Sequence, residues 1–98
     1  MATPTRTDTE GGTFLHKWAL TTADATGDAV GFAGAPDRSW QAVGANWGGA
    51  TLAWEGSLDG GTTYFPVHDV TATAITATAN GGGQMLEATL LVRPRLST

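Results

Sequence analysis

Apolar residues recur at every second position in several short stretches of this chain, the period of a strand with one buried face. Over residues 13–20, Phe14, His16, Trp18 and Leu20 share one face, with Leu15, Lys17 and Ala19 on the other. Residues 38–45 set Trp40, Ala42 and Gly44 against Ser39, Gln41 and Val43. Residues 50–56 alternate most clearly, with Ala50, Leu52 and Trp54 opposed to Thr51, Ala53 and Glu55. A short apolar piece broken by glycine covers 29–34, and further strands are predicted over 62–67, 70–79 and 84–93. Pro66 assigns its strand to an edge or a bulge, and Pro94 is expected to end the last one. Turn-rich sequence separates these pieces at 21–28, 35–38, 57–61 and 80–83, and Asn46-Trp47-Gly48-Gly49 reads as a hairpin connection. No window of about 11 residues keeps helical spacing without a Gly or Pro inside it.

These elements predict an all-β fold, an antiparallel β-sandwich of jelly-roll or Ig-like type, with a small barrel also open. Residues 1–12 fall outside the pattern. Thr3, Thr5, Thr7 and Thr9 alternate with Pro4, Arg6, Asp8 and Glu10, and Gly11-Gly12 closes the run. Nothing there is large and apolar, so it reads as a flexible N-terminal arm, either a frayed terminus or a segment that orders on a neighbour. The expected organisation is an arm over 1–12 and a β-sandwich domain over 13–98.

Composition sharpens this picture. With 98 residues and no cysteine, the chain forms one small domain with a thin core and no disulfide to staple it. It holds 17 Thr, 16 Ala and 14 Gly but one Lys, a stock for strands and turns rather than ion-paired helices. Charged residues make up 14%, against about 25% in an average soluble domain, which suits a protein packed against neighbours. The net charge of −4 lacks the basic footprint that nucleic acid requires. No apolar run approaches the ~20 residues of a membrane-spanning helix, and the first residues lack the apolar core of a secretory signal.

Candidate chemistry is sparse. A hydrolytic relay can be written with Ser57, His68 and Asp69, but adjacent residues point apart on a strand, and nothing holds the serine on a strained turn. Glu55, Asp59 and Asp69 flank one turn region and offer oxygen ligands for calcium, although Asp59-Gly60 is also a common turn dipeptide. His16 and His68 without cysteine give no zinc pattern. The paired glycines read as turns, since no helix follows them to cradle a phosphate. No cofactor is expected. Of the four tryptophans, Trp47 lies in a connection and is the candidate partner contact or a cap folded over the sandwich. The residues expected to touch a partner are Thr3, Pro4, Thr5, Arg6 and Thr7 of the arm, together with Trp47.

The stretch from Asp37 to Asp69 reads Asp37-Arg38-Ser39-Trp40, then Trp47-Gly48-Gly49-Ala50, Gly56-Ser57-Leu58-Asp59-Gly60 and Tyr64-Phe65-Pro66-Val67, and the chain closes with Val92-Arg93-Pro94. This resembles small structural proteins of tailed bacteriophages, which share a GGA hairpin, a strand ending in GS-x-DG, an aromatic strand and a VRP near the C-terminus. Leu58 stands where Asn is common there, and Gly61 is an extra glycine after the turn. The resemblance implies a virion component without enzymatic activity. Its concrete form is a capsid decoration, or cement, protein on the capsid exterior, bound to the major capsid protein as a homotrimer. Neck, tail and fibre-attachment proteins of the virion are the alternative, and a carbohydrate-binding module is the reading from another class.

Overall fold

A computed structural model describes residues 2–8, 14–21, 23–31, 38–87 and 89–97. The chain is all-β, every pairing between its named strands is antiparallel, and an isolated bridge between Ala2 and Gly27 is parallel. The strands in chain order are β1 Thr5–Asp8, β2 Phe14–Lys17, β3 Val30–Gly31, β4 Arg38–Ala42, β5 Thr51–Ser57, β6 Phe65–Pro66, β7 Thr76–Ala77, β8 Gly81–Met85 and β9 Leu91–Ser97. The main sheet runs β3-β9-β5-β6, with β7 also on β5, while β1-β2 and β4-β8 form two ribbons.

The central pair is β5 and β9, in register from Thr51 opposite Ser97 to Ser57 opposite Leu91. Alternation places Leu52 and Trp54 of β5 on the buried face together with Val92 of β9. Ala42 and Met85 from the β4-β8 ribbon close over that face, and Val67 and Ile75 complete the core. Trp18 and Leu20, just beyond β2, pack against its margin. Three tryptophans join the three sheets. The Trp54 ring meets Trp18 edge-on at 5.6 Å and Trp40 of β4 at 6.4 Å between centroids.

The predicted alternation over 13–20 and 50–56 matches the observed burial in the described residues, while that over 38–45 holds only as far as Val43, since Gly44, expected on the buried face, is exposed. Pro66 lies in β6 at the edge of the main sheet, as its missing N–H requires. Other expectations are corrected. The turn at 46–49 exists, with the Ala50 N–H donating to the Trp47 carbonyl at 2.8 Å, but it is no hairpin: β4 pairs with β8, and β5 belongs to another sheet. Residues 70–79 are not one strand. Asp69 folds the chain back through N–H bonds from Thr71 and Thr73, Ala72 takes φ 64°, Ala74 makes an isolated bridge to His68, and only Thr76 and Ala77 form a strand. The last predicted strand divides into β8 and β9, and β8 begins at Gly81, where a turn is expected.

Pro94 does not end β9; it is buried within it. Its carbonyl accepts the Gly27 N–H at 2.9 Å, and the carbonyl of Trp54, its partner on β5, accepts from Val67. Trp54 and Pro94 thus face each other as a pair that exchanges no backbone bond, so the absent proline N–H costs β5 nothing. Gly27 sits between Pro94 and the Trp18 ring, whose indole N–H donates to the Asp28 carbonyl at 2.9 Å. A Cβ at Gly27 lies 2.6 Å from Trp18 and 2.7 Å from Pro94.

The segment expected to be an arm is laid against the domain over its described part. β1 pairs with β2 from Thr5 opposite Lys17 to Asp8 opposite Phe14. Ala2 is buried, donates its N–H to the Thr26 carbonyl at 3.0 Å and accepts from Asp28 at 2.8 Å. Residues 9–12 of that segment, residues 32–34 of the predicted apolar piece and residues 35–37 of the next turn lie outside the described residues.

Gly27→Ala is expected to lower stability by about 1–3 kcal/mol in urea unfolding, through overpacking against two rings. An unchanged midpoint would show that this contact relaxes freely. Ala72→Gly is expected to raise stability by up to about 1 kcal/mol, because it removes the cost of a side chain in the left-handed region; a loss of stability would contradict that geometry.

Candidate functional site

The β4-β8 ribbon carries an open hollow lined by Leu15, Trp40, Gln41, Val43, Asn80 and Gly81, with Ser39, Ala42 and Gly82 completing it. None of these residues is charged. Leu15 is 53% exposed and Val43 78%, so two apolar side chains stand in solvent at its margin. Both lie on the outward face of an alternating segment, where a polar residue is the rule.

Of the expected contact residues, Thr7 and Trp47 adjoin residues that line this hollow. Thr7 of β1 lies opposite Leu15, and Thr5 and Arg6 follow opposite Lys17 and His16; all three are exposed. Thr3 is exposed and donates its hydroxyl to Asp28 at 3.3 Å, while Pro4 is half-buried. Asn80 Oδ1 accepts the Trp47 indole N–H at 2.8 Å and the Gly44 N–H at 2.7 Å. Trp47 is half-buried and packs against the core, in the position of a cap. Sequence reasoning missed Leu15, Val43, Gln41 and Asn80 as site residues. For Leu15 and Val43 the signal was an apolar residue on each polar face, which acquires meaning only once β4 is known to pair with β8 and to bring Gln41 and Asn80 beside them.

The residues considered for chemistry do not converge. The Ser57 hydroxyl donates to Asp59 at 2.8 Å and accepts the Gly61 N–H at 2.9 Å. Asp59 also accepts from the Thr62 and Thr63 N–H groups, and Gly60 and Gly61 supply the positive φ that this turn needs. The Thr63 N–H first, then the Ser57 hydroxyl, hold the Asp59 carboxyl down at about 2. His68 turns to Glu87 instead: its backbone N–H donates to Oε1 at 2.7 Å, and its Nδ1 lies 2.5 Å from Oε2. Burial pushes the Glu87 carboxyl up, but the bonds from His68 outweigh it and leave the group below its ordinary value. Asp69 is held low by the Thr71 hydroxyl and the Thr73 N–H of its own turn. Glu55 pairs with Arg93 at 2.9 Å and Arg95 at 3.6 Å, and Arg93 lies 3.6 Å over the Tyr64 ring. Ser57, His68 and Asp69 therefore form no relay, and Glu55, Asp59 and Asp69 are each engaged apart. Among the described residues no three acidic, His or Cys side chains group as metal ligands.

No protein-family model, curated protein or solved structure matches this chain.

The Asp59 carboxyl carbon is expected to titrate by NMR with a midpoint of about 2, below the ordinary 3.8. A depressed folded-state value means that the turn's contribution is complete above the ordinary value and is lost as pH falls through the folded one. Asp59→Asn is therefore less stable than the wild type at pH 7, and the gap closes as acid protonates Asp59. A normal titration midpoint would show that the turn does not hold the carboxylate.

Proposed function

We propose that this chain is a non-enzymatic virion structural protein, a capsid decoration protein that binds the outside of the major capsid shell as a homotrimer. The observation that carries the reading is the charge-free, partly apolar hollow on the β4-β8 ribbon, with β1 and Trp47 adjoining residues that line it. Such a surface gains from burial against protein, and it lacks the cationic groups that would hold phosphate. The resemblance of residues 37–69 and 92–94 to small phage structural proteins gives the partner its class. An acidic, lysine-poor domain suits the outer face of a shell rather than its DNA-lined interior. Many weak copies on a repeating lattice reach firm attachment through avidity.

β1 supplies the part of the contact expected of the N-terminal segment. Fully extended, a 12-residue segment reaches up to ~40 Å, enough to cross a subunit junction. Release of Thr5–Asp8 from β2 onto a neighbouring subunit would exchange one strand pairing for another.

The test counts copies of this chain against the major shell protein in purified particles by quantitative mass spectrometry. Hundreds of copies are expected; a dozen or fewer would move the chain to the neck or tail, and none would end the virion reading. Leu15→Asp and Val43→Asp, at exposed positions, are expected to weaken binding to shells at least tenfold while the domain unfolds at an unchanged urea concentration. Undiminished binding by both variants would remove the hollow from the contact.

A further inference from the structure

Strand edges invite pairing with other chains, and folded proteins blunt them with charge, proline, bulges or brevity. Most edges here are treated in that way. β3, β6 and β7 have two residues each, β6 contains Pro66, and the β1-β2 ribbon carries Arg6, Asp8 and Lys17. Among the described strands longer than two residues, β8 alone contains neither a charged residue nor a proline. Gly81, Gly82, Gly83 and Gln84 are all exposed, and among the described residues β8 pairs only with β4. The uncharged stretch is longer than the strand and runs from Val70 to Leu86.

We infer that the outer edge of β8 is a self-association surface, on which β8 of a second copy pairs antiparallel about a two-fold axis through Gly83. The strand reads Gly-Gly-Gly-Gln-Met, with its side chains at one end and its glycines at the other. Antiparallel pairing centred on Gly83 sets Gly81 opposite Met85 and Gly82 opposite Gln84 of the second copy. No two side chains then meet head-on: exposed Gln84 lies opposite a bare glycine, while Met85 stays in its own core. β8 carries no charge, so no register of its self-pairing sets like charges opposite each other, whereas β9 paired about Pro94 would set Arg93 opposite Arg95. A chain of net charge −4 meets its own copy at least electrostatic cost along this stretch. A two-residue-deep exchange of backbone bonds on each side of the axis is a modest contact, so the pairing is reversible and concentration-dependent. It does not rest on the shell reading; on a shell it would link neighbouring copies.

Sedimentation equilibrium of the full chain in free solution tests this. Away from the shell on which the proposed homotrimer assembles, the wild-type mass is expected to rise with concentration from 10.0 kDa toward twice that value. Gln84→Lys places a charge on the exposed edge and is expected to raise the dissociation constant about tenfold or more. Leu58→Lys, at another exposed leucine away from β8, is expected to leave it unchanged, and urea unfolding checks that both variants keep the fold. A single-chain mass at every concentration up to about 1 mM overturns the inference. So does an association that Gln84→Lys leaves as tight as before, or one that both lysine variants weaken equally.

Discussion

Trp54 is the constraint on which the other contacts depend. It projects from the central strand β5 into the core, and it is touched by Trp18 from beyond β2 and by Trp40 from β4. A chain this short has little apolar surface to bury, and large rings give the most burial per residue. That choice has a cost, because the indole nitrogens of Trp40 and Trp54 are buried without a hydrogen-bond partner among the described residues. An unsatisfied buried donor costs about 1–3 kcal/mol. The Trp18 indole escapes that cost through the Asp28 carbonyl, and Trp47 through Asn80.

The small set of charged residues serves the fold more than the solvent. Arg38 is buried and donates to the hydroxyl and carbonyl of Thr89 at 3.2 and 2.6 Å. Glu55 gathers Arg93 and Arg95 across the central pair, Glu87 holds His68, and Asp59 and Asp69 each close a turn. The surface is left to Thr, Ala, Gly and a few exposed leucines and valines. A low charge content is thus compatible with a specific fold while leaving a surface that gains from company.

Much of the fold was legible because alternation is a local signal. The segments carrying Trp18, Trp40 and Trp54 announced both their strands and their buried faces. The failures occurred where tertiary context overrode local grammar. Pro94 looked like a terminator, yet it is tolerated in a central strand because its partner Trp54 turns its carbonyl away, to the Val67 N–H. Residues 70–79 looked like a Thr/Ala strand, but the Asp69 carboxylate competes for their N–H groups and bends them. Gly81 to Gly83 looked like a turn and instead form a strand against β4. The hollow was not legible, since Leu15, Gln41 and Asn80 come together only through pairings that local sequence does not encode.

The β4-β8 ribbon joins Arg38 to Met85, partners 47 residues apart in the chain (85 − 38). Loop-closure entropy must be met before that pairing returns any stability, and non-local β pairings form slowly. During synthesis β4 waits, with Trp40 uncovered, until β8 has left the ribosome. Throughout that interval the growing chain exposes one of the rings that later lock its sheets together. For this protein the time of greatest danger is therefore before the fold closes, and the rate of synthesis sets how long that time lasts.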